Sequence, residues 1–233
     1  MTSVHRRAAA VTGLVAVAAF AVLAAVVVVR GGAPLPVDTW VLAWAVGHRP
    51  GPGVSFARHL TDTGTGAVPY LLAVLAGVLA GRTARQRLLY AAWCLLFLGA
   101  GQGLRRAVLY AVERARPPAR DWATHAADWS FPSGHATTAA LTAALLVAAV
   151  LLRAPRARWP LAVLAGCWGV AVGLTRAYLG VHWISDVVGG WLFALAWCGA
   201  GAWAAARWLP VPARPRRRRP AGSRRGAARA GSR

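Results

Sequence analysis

FPSGH at residues 131–135 and TRAYLGVHWISD at residues 175–186 delimit the stretch that decides the fold. Between them run two apolar segments, each long enough to cross a bilayer as a helix of about 20 residues. The stretch therefore predicts two antiparallel membrane spans whose outer ends carry ionisable side chains. Such side chains are costly beside a membrane and are usually functional there, so we expect an active site where the two ends meet.

The composition of the whole chain is that of a membrane protein. Of 233 residues, 58% are hydrophobic and 14% are charged, whereas a soluble domain carries about 25% charged residues. The charges are clustered and leave long uncharged runs between them. A membrane β-barrel needs alternating segments of about 10 residues, a pattern that this sequence lacks. The predicted fold class is all-α, a polytopic membrane protein.

Six apolar segments are predicted to span the membrane as a helical bundle. They cover residues 8–29, 67–81, 88–112, 133–152, 159–178 and 183–206. Residues 30–66 form a connecting region rich in glycine and proline, where Trp40 and Trp44 indicate an interfacial segment. We divide the chain into an N-terminal anchor helix (1–30), a membrane domain (31–206, with its catalytic core at about 88–200) and an arginine-rich tail (207–233) expected to be disordered.

Arginine determines the predicted orientation. The net charge is +21, and all the basic residues other than histidine are arginines. Arg6 and Arg7, residues 82–87, residues 153–158 and the tail fall on one side of the six spans, which the positive-inside rule makes cytoplasmic. Both termini are then cytoplasmic, and the ends of the decisive stretch are not. We expect the tail to contact anionic lipid headgroups and not nucleic acid.

Two polar clusters precede the fourth span on the predicted outer side. In RARP (114–117), two guanidiniums one residue apart can offer planar forks to a phosphate. At the start of the span, Ser133 supplies a hydroxyl, and free backbone N–H groups form a natural anion site. Gly134 lets a ligand approach the backbone closely, and His135 adds a group that titrates near neutral pH.

A third cluster combines Arg176 with His182 and Asp186. The last two are four residues apart at the predicted start of span six, so they share a helix face. A carboxylate beside a histidine fixes the ring tautomer and raises its basicity, as a nucleophilic or general-base histidine requires. A metal site is not favoured, because further ligands do not occur at usable spacing. A buried pair that only locks two helices is the alternative.

Together the three clusters resemble the signature motifs of the type 2 phosphatidic acid phosphatase (PAP2) superfamily. The second and third match that pattern at full spacing, with Thr175 in place of the usual serine. The resemblance covers about residues 37–200. It implies a six-helix membrane enzyme that needs no metal ion or other cofactor.

The resemblance also implies a role for each motif residue. His182 would attack phosphorus and form a phosphohistidine, with Asp186 orienting its ring. His135 would protonate the leaving oxygen and then activate water. The residues implied to hold the phosphoryl oxygens are Arg116, Ser133, Gly134 through its backbone N–H, and Arg176.

One position departs from the family pattern. The family's lysine seven residues before Arg116 is Leu109 here, which cannot contact a phosphate. Arg105 and Arg106 lie about one helical turn earlier on the same face. We expect one of them to reach the site instead.

The predicted function is hydrolysis of a lipid phosphate or pyrophosphate, such as a polyprenyl pyrophosphate or a phosphatidic acid-like lipid. The predicted location is the plasma membrane of a bacterium, with the site on the non-cytoplasmic side. Two alternatives are a lipid phosphotransferase that uses the same site and a membrane protein that binds anions with weakened catalysis. The only feature that favours weakened catalysis is Leu109, which stands where the family has a lysine.

Overall fold

A computed structural model of the chain describes residues 3–154 and 156–208. All regular structure in these two ranges is helical, which confirms the predicted all-α fold class. The α-helices are α1 (Ser3–Val29), α2 (Pro36–Gly47), α3 (Gly51–Asp62), α4 (Ala67–Ala80), α5 (Ala84–Val112), α6 (Gly134–Arg153), α7 (Arg158–Tyr178) and α8 (Ile184–Trp208), with one 3-10 turn at Ala119–Asp121. The predicted tail lies almost entirely outside the described residues.

Five of the described helices, α1, α5, α6, α7 and α8, are long and apolar enough to cross a membrane. The predicted span at 67–81 is α4, whose 14 residues extend about 21 Å, less than a hydrocarbon core of about 30 Å. Helices α3 and α4 pass the same test only as a pair bent by 53°. The predicted six spans are reached when this bent pair counts as one.

The region at 30–66 is more regular than predicted, because it contains two helices of 12 residues each. Its prolines suggested an irregular connection, but Pro36 and Pro52 stand in the first turns of α2 and α3. A first-turn N–H has no helical acceptor, so proline is tolerated there. Trp40 and Trp44 are exposed on α2.

Helix α1 is packed into the bundle. Gly13 of α1 faces Gly199 of α8 so closely that a Cβ on Gly13 would lie 2.8 Å from the Gly199 Cα. The ring of Phe20 stacks on Phe131 at 5.8 Å and meets Phe193 edge-on at 5.6 Å. Helix α1 therefore supports the FPSGH loop directly. A division of the chain at residue 30 stays a prediction.

The two ends of the decisive stretch meet at one end of the bundle, as antiparallel α6 and α7 require. The backbone N–H of Ser133 donates to the carbonyl of Asp186 at 3.0 Å, and that of Ala123 donates to Leu179 at 2.9 Å. These hydrogen bonds join the loop before α6 to the end of α7 and the first turn of α8. The site is built on this junction.

Candidate active site

The junction encloses a cavity of about 620 Å³. Its charged and titratable lining residues are Arg105, Arg106, Arg116, His125, Asp128, His135, Arg176 and His182. Of the seven site residues predicted from the sequence, His135, His182, Arg116, Arg176 and Gly134 line the cavity, while Asp186 and Ser133 lie behind its wall. Within the described ranges, histidine, cysteine and acidic side chains form no group of three placed to hold a metal ion.

His182 is brought to the cavity by a loop and not by a helix, which corrects the expectation that it shares a helical face with Asp186. Helix α8 begins only at Ile184, yet Nδ1 of His182 lies 3.5 Å from Oδ2 of Asp186. The chain reverses at Gly180, whose φ of +72° is a conformation that glycine adopts without steric penalty. The predicted pair therefore forms through the turn.

Arg116 defines the tautomer of the His182 ring. Its Nη1 lies 2.9 Å from Nε2 of His182, and a guanidinium can only donate, so Nε2 is the unprotonated nitrogen. Burial lowers the pKa of His182 well below its usual value, and the positive charges of Arg116 and Arg176 lower it further. A neutral ring with the lone pair of Nε2 on the cavity side, where Arg116 holds it by one hydrogen bond, is the form that a nucleophile requires.

Asp186 is fully buried and held by three donors. They are Nη1 of Arg114 at 2.6 Å, the backbone N–H of Trp183 at 2.9 Å and the hydroxyl of Ser130. A carboxylate in this setting keeps one orientation, because each of its oxygens is tied to a different part of the fold. Its Oδ2 is the oxygen beside His182.

Arg114 does not face the cavity, which corrects the expectation that both guanidiniums of RARP are offered to a phosphate. Its side chain is 0% exposed and forms ion pairs with Asp38 at 2.8 Å and Asp186 at 2.6 Å. Further acceptors are Oγ of Ser185 at 2.7 Å and the carbonyl oxygens of Gly32 at 3.2 Å and Ala33 at 3.4 Å. Arg114 is thus a buried structural cation, and Arg116 alone of the two lines the cavity.

Asp38 is a member of this network that sequence reasoning missed. It is 1% exposed, and besides Arg114 it accepts from the backbone N–H of Ser185 at 2.9 Å and from its hydroxyl at 2.8 Å. A signal was present, because a carboxylate in an apolar segment needs a buried partner. The partner is 76 residues away, and no local pattern identifies it.

Ser133 and His135 stand at the start of α6, as predicted. His135 is half-buried and lines the cavity. Oγ of Ser133 is buried without a hydrogen-bond partner among the described residues, and buried polar groups normally have one. Binding of a phosphoryl oxygen by Ser133 stays a prediction, because the residue is fully buried and does not line the cavity.

Arg176 lines the cavity from the last turn of α7. Its Nη1 donates to the hydroxyl of Thr61 in α3 at 3.2 Å, while its Nε is buried without a partner. As a whole residue, Arg176 is only 4% exposed, and it contributes to the cavity lining. It therefore keeps donor capacity for an anion.

The structure distinguishes the two arginines that were expected to replace the missing lysine. Nη1 of Arg105 donates to the carbonyl of Pro132 at 3.3 Å, and its guanidinium carbon is 3.4 Å from where a Cβ on Gly134 would stand. The side chain of Arg106 is 62% exposed and pairs with Asp128 at 3.9 Å. Arg105 thus reaches the inner cavity beside Gly134, and Arg106 stands at its rim.

Comparison with known proteins gives concordant matches. The sequence model of the PAP2 superfamily matches residues 110–209. Phosphatidylglycerophosphatase B of Bacillus subtilis (strain 168) is 31% identical over 138 residues, which are 57% of this chain and 66% of the relative. Undecaprenyl-diphosphatase of Sulfolobus acidocaldarius is 42% identical over 65 residues, 28% of either chain. The chain thus spans about two thirds of the first relative and under a third of the second.

The fold has a counterpart among solved structures. The crystal structure of the first transmembrane PAP2 type phosphatidylglycerolphosphate phosphatase from Bacillus subtilis matches with a TM-score of 0.68. The match covers 85% of this chain and 98% of the other, at 24% sequence identity. At this identity the likeness concerns the arrangement of the helices.

Proposed function

We propose that this chain, which belongs to the PAP2 superfamily, is a membrane enzyme that releases phosphate from a lipid phosphate or diphosphate. The observation that carries the proposal is the placement of His182: a buried ring whose unprotonated Nε2 meets Arg116 at a guanidinium-lined cavity. The names of the two relatives, a phosphatidylglycerophosphatase and an undecaprenyl-diphosphatase, suggest the substrate class.

In the first chemical step, the Nε2 lone pair of His182 forms a bond to phosphorus while the bond from phosphorus to the lipid oxygen breaks. The ring becomes a cation, which the negative charge of Asp186 stabilises. His135 gives its proton to the departing oxygen. The products of this step are a phosphohistidine and the dephosphorylated lipid, or the lipid monophosphate if the substrate is a diphosphate.

In the second step, water attacks phosphorus and the nitrogen–phosphorus bond breaks. His135, now neutral, accepts the proton of the water. Inorganic phosphate leaves, and the ring of His182 returns to its neutral tautomer. The cycle consumes one water and needs no further reactant.

Arginine provides the electrostatic stabilisation for both steps. Arg116 is preorganised, because four of its five N–H groups bind the carbonyl oxygens of Ala127, Asp128, Trp129 and Val181 at 2.7–3.0 Å. The fifth donates to Nε2 of His182 and is released to a phosphoryl oxygen when Nε2 attacks phosphorus. A charge held rigid before the reaction has little reorganisation to undergo as charge develops. Arg105 and Arg176 keep unpartnered Nε groups that phosphoryl oxygens would satisfy.

We expect Arg105→Ala to lower kcat/KM for phosphate release by about 10²- to 10³-fold, the usual effect of removing one donor from developing charge. Arg106→Ala, which removes an exposed rim charge screened by water, should cost less than about 10-fold. The measurement is phosphate release by the two purified variants in detergent. Equal losses in the two variants, or no loss for Arg105→Ala, would show that Arg105 does not replace the missing lysine.

Open space beside α5 supports a lipid as the substrate. Helices α4 and α5 touch closely where Gly77 meets Ala91, since a Cβ on Gly77 would collide with the backbone there. About 12–18 Å further along α5, Gly99 and Gly103 line the cavity and have open space beside them. This space is a gap that a hydrocarbon chain can occupy while its phosphate reaches His182.

The function is tested by offering the detergent-solubilised protein a panel of lipid phosphates and diphosphates together with a short-chain, water-soluble phosphate ester. We expect phosphate release from at least one lipid, and we expect Gly103→Leu to lower kcat/KM for that lipid about 10-fold or more. The same variant should act normally on the soluble ester, because leucine fills only the gap and is a better helix former than glycine. Folded protein that releases phosphate from none of the lipids would refute the proposed activity.

We also propose that the cavity opens on the non-cytoplasmic side and that both termini are cytoplasmic. The support is that Arg82, Arg85, Arg87 and Arg153 stand at the ends of α5 and α6 remote from the cavity, where the positive-inside rule favours the cytoplasm. Protease cleavage of the C-terminal tail in right-side-out vesicles would contradict this orientation.

A further inference from the structure

The hydroxyl of Ser130 lies between the two residues of the nucleophilic pair. Its Oγ is hydrogen-bonded to Oδ2 of Asp186 and stands 3.3 Å from Nδ1 of His182. The direct distance from Nδ1 to Oδ2 is longer, 3.5 Å. The ring therefore lies closer to the serine than to the carboxylate.

The direction of each hydrogen in this chain of contacts follows from the chemistry of its members. Arg116 donates to Nε2 of His182, so the ring proton is on Nδ1. The ionised carboxylate of Asp186 only accepts, so the Ser130 hydroxyl must donate to it. The lone pairs of Oγ then remain to accept from the Nδ1–H group of the ring. In this arrangement, the ring of His182 donates to the hydroxyl of Ser130, and that hydroxyl donates to the carboxylate of Asp186.

We propose that Ser130 is a positioning residue that links Asp186 to His182 and orients the ring, whose tautomer Arg116 sets at Nε2. This inference rests on the proposed function, in which Nε2 must present a lone pair to phosphorus. Ser130 is fully buried and does not contribute to the cavity lining. It acts on the side of the ring away from the phosphate and contacts no substrate atom.

The fold holds Ser130 rigidly enough for this role. Its backbone N–H donates to the carbonyl of Arg114 at 2.8 Å, and the same Arg114 pairs with Asp186 through its side chain. The next residue, Phe131, is fully buried and stacked on Phe20 of α1. The hydroxyl and the carboxylate are therefore fixed relative to each other by one arginine.

The kinetic test compares Ser130→Ala with Ser130→Thr, which keeps the hydroxyl. We expect Ser130→Ala to lower kcat about 10- to 100-fold, the usual effect of losing a hydrogen bond to a charged group, with KM changed less than about threefold. Ser130→Thr should recover at least about a third of the lost activity. Thr142→Val is the matched control, because it removes another buried hydroxyl, one without a hydrogen-bond partner, and should leave kcat unchanged.

A second measurement does not depend on turnover. In protein labelled with ¹⁵N-histidine, His182 should show Nδ1 protonated in both the wild type and Ser130→Ala, and the proton signal of Nδ1–H should move upfield in Ser130→Ala because its hydrogen bond to Oγ is lost. An unshifted Nδ1–H signal and unchanged kcat in folded Ser130→Ala would overturn the inference, as would a folded Ser130→Thr as inactive as the alanine variant. If the wild type itself releases no phosphate, the proposed function fails and the Nδ1–H signal alone decides the role of Ser130.

Discussion

Replacing His182 with alanine is expected to lower kcat for phosphate release by about 10⁴-fold or more, the scale on which loss of a covalent nucleophile acts. The reason is that Nε2 of this ring is the proposed attacking atom, already neutral and aimed at the cavity. Among the histidines that line the cavity, which include His125 and His135, His182 is the one whose ring contacts both Arg116 and Asp186. Phosphate release from a labelled lipid phosphate measures the loss.

The covalent intermediate gives the sharper readout of this prediction. After rapid quenching in alkali, wild-type protein should carry labelled phosphate that is lost in acid, as phosphohistidine is, and His182→Ala should carry none. His135→Ala is the matched variant. With a substrate whose leaving group needs no proton, His135→Ala should still form the phosphohistidine. It should hydrolyse this intermediate slowly, because no histidine at position 135 accepts the proton of water, and the label should accumulate. Equal labelling of wild type and His182→Ala would exclude His182 as the nucleophile.

Replacing Arg114 with alanine is expected to destabilise the protein more than any other single change at the site. Asp38 and Asp186 would both lose their cationic partner while remaining buried, and breaking a buried pair in this way costs about 3–5 kcal/mol. For a chain of this size, that corresponds to a fall of about 6–20 °C in the midpoint of thermal unfolding. The measurement is unfolding in detergent followed by circular dichroism.

The control for this second prediction is Arg106→Ala. It also removes an arginine from an ion pair, but the pair with Asp128 is 3.9 Å long and both side chains are about half exposed. Exposed pairs contribute about 0–1 kcal/mol, so the midpoint should move by only a few degrees. A midpoint in Arg114→Ala as high as that of Arg106→Ala would show that the buried network does not stabilise the fold.

The sequence predicted the elements better than it predicted the contacts of individual arginines. Helices α5 to α8 follow the predicted spans within a few residues, because hydrophobic length and flanking charge are local properties of the chain. The bent pair α3 and α4 was harder to predict, because the prolines and glycines at 50–66 are as typical of a loop as of a helix start. The contact between His182 and Asp186 was predicted, but as one along a helical face, whereas His182 lies in the loop before α8.

The sequence by itself determined the membrane fold and the position of the motif histidines at helix ends that meet. Both follow from spacing along the chain. Only the tertiary structure decided that Arg116 faces the cavity while Arg114 is buried, and that Arg105 reaches inward while Arg106 does not. Arg105 and Arg106 are neighbours on α5 and point about 100° apart, whereas Arg114 and Arg116 lie in the irregular segment after α5, so packing selects between the members of each pair. Likewise Asp38 and Ser130 join the site only through partners 76 and 56 residues away, which no local pattern specifies.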